Sequence, residues 1–297
     1  MIDVTALGEL LIDFTPAGRS QQGNPLFEQN PGGAPANVLA AVTRLGKKAA
    51  LISAVGSDQF GRALTEVIEG LGIDPSGIQV KEDAFTTLAF VHLNAAGDRS
   101  FSFARKPGAD QCIETDAIDH ALIDRCRIFH FGSVSLSAEP ACSTTLDAAR
   151  YAFEHGKLVS YDPNWRPALW NSTEQGIAGM KLGLPYTNIL KLSEEELPLL
   201  TGRDDLDAGA RLLAFGGTER SIIAGSHPVT GIIDGHRPEG LLEFGERRTV
   251  LLALVEFHAL IVMVLRPAFE SRCGIRAHGR KKHRRRQQPS VFHIDKN

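Results

Sequence analysis

From residue 1 to about residue 225, short apolar runs rich in β-branched residues alternate with stretches of helical period. The runs lie at residues 4–11, 49–55, 127–134, 158–161, 188–192 and 220–224 and predict strands. Between them, Val38, Ala41, Val42 and Leu45 fall at i, i+3, i+4 and i+7, with Pro35 near the start and Gly46 past the end. Residues 58–71 repeat the pattern through Phe60, Leu64, Val67, Ile68 and Leu71 before Gly72 stops it, and residues 142–154 and 204–215 read the same way. An alternation of this kind predicts an α/β fold, a mostly parallel sheet with helices on both faces.

Two stretches interrupt the rhythm. Residues 14–30 are polar and turn-rich, and residues 84–105 alternate as a hairpin would, with the turn at Ala95, Ala96, Gly97 and Asp98. A hairpin inserted in a βα chain belongs outside the main sheet, where it serves either as a lid that excludes water or as an edge ornament. Beyond residue 225 the two periods can no longer be separated. The most apolar segment, residues 250–265, has 16 residues interrupted by Glu256 and His258, short of the roughly 20 that a spanning helix needs, and reads as a buried helix or strand.

Composition sharpens this division. The chain has 297 residues, 43% of them hydrophobic, and a net charge of -3 that conceals an asymmetry. Residues 266–297 hold 10 of the 32 Lys and Arg but only 2 of the 35 Asp and Glu. An acidic body therefore precedes a strongly basic end. That end, around residues 276–286, has no interleaved aromatics and reads as a solvated disordered tail rather than a nucleic-acid site. Four scattered cysteines exclude a disulfide framework or a metal cage, and the first residues read as a strand rather than a secretion signal, so a cytoplasmic protein is expected.

Walker A, GxGxxG, HExxH and GxSxG patterns are all absent. What remains are polar residues where strands end. Gly32 and Gly33 open a helix and permit close backbone approach, with Asn37 in its first turn; they either line a ligand pocket or only shape a loop. Asp13 closes the first predicted strand, on the rim where open parallel sheets bind ligands, and is either a sugar-hydroxyl acceptor or a solvated carboxylate. Asn164 and Arg166 follow another strand, suited to anionic oxygens or to an ordinary Asp-Pro turn. Ser193 and Glu196 have capping-box spacing, the reading that spacing alone favours, with a carboxylate that holds magnesium through water as the alternative.

Seven ordered segments carry a resemblance: GELLIDF at 8–14, NPGGAPANVLAAVTRLG at 30–46, VGSDQFG at 55–61, FSFARKPGAD at 101–110, HFGSVSL at 130–136, DPNWR at 162–166 and KLSEEE at 191–196. Together they resemble the ribokinase-like (PfkB) carbohydrate kinases, most closely the bacterial fructokinases. The resemblance covers residues 1–224. It implies a ribokinase-like body with β-lid insertions at about 14–30 and 84–105, an atypical segment 225–265 and a basic tail. It also implies ATP as phosphoryl donor, Mg2+ as cofactor and fructose or a similar ketose as acceptor; 2-keto-3-deoxygluconate and ribosides are the alternatives, and homodimers pair through the lid. By resemblance Asp13, Gly32, Gly33, Asn37, Phe103 and Arg105 bind the sugar, although Ala104 replaces an aromatic common in the family. Asn164 and Arg166 sit near the transferring phosphate, and Glu196 organises magnesium indirectly, with Ser193 in place of the usual Asn.

The family's second signature, roughly DTTGAGD, supplies an anion hole and the aspartate base. It is expected 25 to 40 residues beyond Arg220, yet no GAGD or close variant stands between residues 225 and 297. The catalytic base is therefore unassigned. The expectation is a sugar kinase by descent whose C-terminal part is frame-shifted or replaced, impaired in transfer, or a non-catalytic sugar-binding relative.

Overall fold

The computed structural model describes residues 1–93, 99–205, 208–209, 212–213, 221–224 and 231–234. The predicted turn at 95–98, most of the helix expected over 204–215, the apolar run 250–265 and the basic tail lie outside the described residues.

The main sheet is built from β1 (Ile2–Leu7), β4 (Ala49–Gly56), β5 (Ile73–Lys81), β8 (Cys126–Gly132), β9 (Leu158–Asp162), β10 (Ile189–Leu192), β11 (Ser221–Ala224) and β12 (Gly231–Asp234). Its order is β12-β11-β10-β9-β8-β1-β4-β5, every pair parallel except β11 with β12. The expected mostly parallel sheet is present.

Period-two side chains divide the core between its faces. Leu7, Ile52, Phe129, Phe131 and Tyr161 enter one cluster, under α3 (His120–Asp124), α4 (Ala141–Glu154), α5 (Thr173–Leu182) and α6 (Glu196–Thr201). Val4, Ala6, Leu51 and Val55 enter the other, under α1 (Ala34–Arg44) and α2 (Gln59–Gly70), which contribute Leu39, Val42, Leu64 and Ile68. β4 is buried along its whole length, as a strand covered on both faces must be. Phe131 stacks on Tyr161 with ring centroids 4.5 Å apart, and the Tyr161 hydroxyl donates to the Met180 carbonyl, so this large ring leaves no polar atom unpaired.

The interrupting stretches build a second sheet, ordered β3-β2-β6-β7, from β2 (Leu11–Arg19), β3 (Pro25–Gly32), β6 (Leu88–Leu93) and β7 (Arg99–Ala104). β6 and β7 pair antiparallel, as the hairpin reading requires, and β2 joins them by a parallel pairing with β6. Aromatic rings tie this lid to the body. Phe14 of β2 stacks on Phe90 of β6 at 5.0 Å and meets Phe60 of α2 edge-on at 6.1 Å.

One expectation needs correction. The run 4–11 is not one strand: β1 ends at Leu7, Gly8 turns with φ 154°, and β2 begins at Leu11 in the other sheet. Asp13 is accordingly the third residue of a lid strand, paired with Asn30 of β3, and not the last residue of a core strand.

Candidate functional site

Four parallel strands, β1, β8, β9 and β10, deliver loops to one rim, and the lid sheet rises from the same rim. Ligands of open parallel sheets bind beyond these strand ends.

On the lid side, β3 runs into α1 through Gly32 and Gly33. A Cβ on Gly32 would lie 2.3 Å from Asp13 Oδ2, so the absent side chain is the space that the Asp13 carboxyl occupies. Gly33 has φ 111°, and a Cβ there would lie 2.3 Å from the Glu9 carbonyl oxygen. Only glycine fits, on grounds of both space and backbone conformation. Gly33 also leaves α1 without a side-chain cap; Glu9 substitutes for it, its Oε1 accepting the Ala34 N–H at 2.7 Å. Burial raises the Glu9 carboxyl to about 7, against the pull of that N–H. Burial likewise raises the half-buried Asp13, while the Arg166 guanidinium draws it back down. Asn37 is exposed in the first turn of α1.

Across the rim, the loop after β9 is fixed from both sides. Ser133, just past β8, donates its N–H and its hydroxyl to the Pro163 carbonyl. Asp162 Oδ1 accepts the Asn164 N–H at 3.1 Å, which closes an Asx turn and holds Asn164 at φ 52°, in the left-handed region that Asn tolerates. The Arg166 guanidinium carbon lies 5.6 Å from the Phe101 ring centre on β7, a cation–π contact between body and lid.

After β10, Ser193 and Glu196 form the expected capping box. The Ser193 N–H donates to Glu196 Oε2 at 2.7 Å, and the Glu196 N–H donates to Ser193 Oγ at 3.2 Å. Glu196 Oε1 accepts from the Trp165 N–H, so one buried carboxylate joins the two loops. Each oxygen keeps a lone pair, which suits a water-mediated approach to a cation. Among the described residues no group of three His, Cys, Asp or Glu side chains could hold a metal.

Several partners were not foreseen. Lys191 of β10 contacts both Asp162 oxygens, at 3.1 and 3.3 Å; burial works against its charge, but Asp162 and Glu196 raise its pKa on balance. With Arg166 and the Asn164 amide it forms a donor-rich wall fit for phosphate oxygens. Arg105 lies just after β7 and forks onto Asp110, Nη2 to Oδ2 at 2.7 Å and Nε to Oδ2 at 2.9 Å. Asp110 also accepts from Thr87 Oγ1 at 2.5 Å. Phe103 lies on the same face of β7 as Phe101, ring centroids 6.1 Å apart. Glu9, Asp110 and Lys191 all stand inside the quoted motifs, but the spacing of one sequence does not show which strand end faces which.

The architecture is that of a ribokinase-like fold, a doubly covered parallel sheet with a β lid over its carboxyl rim. Residues 1–226 match the pfkB family carbohydrate kinases, and the chain belongs to that family. Fructokinase-1 of Zea mays is 45% identical over 206 residues, 69% of this chain and 64% of that protein. Probable fructokinase-7 of Arabidopsis thaliana is 44% identical over 204 residues, 68% of this chain and 60% of that protein. The chain thus spans less than two thirds of the length of these relatives. Among solved structures, fructokinase from Xylella fastidiosa superposes with a TM-score of 0.72 at 34% identity, covering 81% of this chain and 79% of that one. Fructokinase from the same organism with bound ATP gives 0.72 at 30% identity, covering 87% and 81%. Fructokinase from Vibrio cholerae O395 in its fructose, ADP and calcium ion bound form gives 0.70 at 28% identity, covering 80% and 75%.

Proposed function

We propose that residues 1–224 bind fructose or a similar ketose together with ATP, and that the chain as it stands transfers the phosphoryl group slowly or not at all. The observation that carries the sugar site is Asp13 seated over Gly32 at the mouth of α1, with Arg166 opposite. A carboxyl in that position accepts sugar hydroxyls, while Gly32, Gly33, Asn37, Phe103 and Arg105 complete the surroundings. Asn164, Arg166 and Lys191 would hold the transferring phosphate, and Glu196 would orient the water shell of Mg2+. ATP supplies the phosphoryl group when bound; the part of these residues is to position it and balance its charge.

Impairment follows from the sequence beyond Ala224, where neither the aspartate base nor the glycine-shaped anion hole of the family signature stands. A frame-shifted or replaced C-terminal part explains the abrupt loss together with the basic tail. Translating the coding DNA past codon 224 in its other two frames tests this, and two frames without a GAGD-like segment leave real divergence as the account.

Calorimetric titration with fructose, and ATP consumption in the same preparation, test the reading itself. Fructose binding with negligible turnover is the expected result. Normal turnover overturns the impairment, and absence of any sugar binding overturns the site. Leu26, Phe27 and Leu93 on the lid are exposed large apolar residues and support a homodimer formed through the lid, checked by light scattering. Among the described residues, no helix is long and apolar enough to cross a membrane, and Cys112, Cys126 and Cys142 are free, which supports a cytoplasmic location.

A further inference from the structure

Among the described residues, Arg105 and Arg166 stand on the rim, and each already faces a carboxyl. Arg166 stands against Asp13, whose pKa it lowers, and over the Phe101 ring. Arg105 is engaged more completely. Its side chain is 5% exposed and that of Asp110 is 0% exposed, so their fork is shielded from water. Nη2 also donates to the Val134 carbonyl at 3.2 Å, and Nη1 donates to Ser137 Oγ at 2.9 Å. Of the five N–H groups of this guanidinium, the second on Nη1 has no hydrogen-bond partner among the described residues. The Glu9 carboxyl is in electrostatic contact with both Arg105 and Asp110, and burial, which raises it to about 7, favours its neutral form in the same corner.

Gly108 makes this convergence feasible. A Cβ on it would fall on Thr87 Oγ1 and lie 2.8 Å from Asp110 Oδ1. The chain therefore folds back within a few residues to bring Asp110 against Arg105. Thr87, at the foot of β6, locks the carboxylate through its own donated hydroxyl hydrogen.

We propose that Asp110 is a specificity-determining residue: by forking onto Arg105 it cancels the charge that would attract a sugar acid, and so commits the pocket to uncharged sugars. This rests on the sugar-site reading above and refines it. A sugar carboxylate entering the rim would find Arg105 satisfied by Asp110 and Arg166 opposed by Asp13. It would lose its water without gaining either guanidinium free of a carboxyl partner. A sugar hydroxyl needs no net charge, and the remaining Nη1 hydrogen suffices for it. Asp110 works through Arg105, so its role is one of positioning.

The test is a pair of calorimetric titrations, with D-fructose and with D-gluconate, on the full chain and on Asp110→Asn. Asparagine keeps an acceptor for Thr87 and for one Arg105 N–H while leaving the guanidinium charge uncancelled. The unaltered chain is expected to bind fructose at least tenfold more tightly than gluconate. In Asp110→Asn the ratio of the two affinities shifts at least tenfold toward gluconate. Because the shape difference between the two probes is the same in both proteins, it drops out of that shift. A merely structural role for Asp110 weakens both probes together and leaves the ratio unchanged, which overturns the proposal. Should Asp110→Asn not fold, Asp110→Ser carries the same comparison. Gluconate binding as tight as that of fructose in the unaltered chain also overturns it. If neither probe binds the unaltered chain, the sugar-site reading itself is refuted and this proposal goes with it; fructose binding with an unmoved ratio refutes the proposal alone.

Discussion

The Glu196 carboxylate accepts the main-chain N–H of Trp165 at 2.6 Å and that of Ser193 at 2.7 Å, and so binds the loop after β9 to the loop after β10. Glutamine at this position can accept only one of the two and must turn an N–H toward the other donor. Glu196→Gln is expected to lose about 1–3 kcal/mol by urea unfolding, the cost of one buried donor left unpaired. The chain has two tryptophans, Trp165 and Trp170, and their rings stack with centroids 6.4 Å apart. Intrinsic fluorescence therefore reports on this loop, and an unchanged spectrum in the variant would contradict the linkage.

Gly32 and Gly33 are neighbours with different tasks. Alanine at 33 places its Cβ against the Glu9 carbonyl at a backbone angle that L-residues rarely adopt, and Gly33→Ala is expected to cost at least about 2 kcal/mol. Alanine at 32 meets the end of the Asp13 side chain, which can swing away. Gly32→Ala should therefore lower fructose affinity by an order of magnitude or more while shifting the melting temperature much less. Equal thermal losses in the two variants would refute the distinction.

Two buried groups give opposite pH dependences. Burial raises Glu9 from 4.5 to about 7, so the folded state binds the proton more tightly and stability falls as pH rises from 4.5 to 7. Burial lowers His130 from 6.5 to about 4, so the folded state binds the proton less tightly and stability rises as pH rises from 4 to 6.5. Between pH 4.5 and 6.5 the two slopes oppose each other. Melting curves across that range should show stability rising with pH more steeply in Glu9→Gln, and falling with pH in His130→Asn. A His130→Asn protein whose stability still rises over the window contradicts the assignment.

Asp162 serves two partners, the Asn164 N–H and the Lys191 ammonium. Asp162→Ala releases both, so ATP affinity is expected to fall about tenfold or more with fructose affinity nearly kept, as titration of each ligand will show. A loss confined to fructose would place Asp162 on the wrong side of the rim.

The sheet was legible because its strands are buried on both faces and interrupted by glycines, so 49–55, 127–134 and 158–161 nearly coincide with β4, β8 and β9. The break between β1 and β2 was not. GELLIDF is apolar throughout, and a chain leaving one sheet for another looks like one long strand when only Gly8 marks the bend. The polar segment 14–30 hid β2 and β3 because those strands face solvent for much of their length, and exposed strands carry turn-like residues. Glu196 and Ser193 were readable as a cap from their spacing alone. The Arg105–Asp110 fork was not, since five residues separate a pair brought together only by the fold around Gly108.

The chain passes between body and lid four times, at residues 8–10, 32–33, 82–87 and 105–108. Glu9 holds the first passage to the foot of the second through the Ala34 N–H, Asp58 holds the Thr86 main chain and hydroxyl, and Asp110 ties Thr87 to Arg105. The connections are thus held by hydrogen bonds within the fold itself, and their conformational entropy is lost during folding rather than on binding. On the proposed sugar-site reading, a sugar at Asp13 would meet a preorganised enclosure. Its binding heat capacity should accordingly reflect the surface of the sugar and its pocket, with no added contribution from segments folding around it.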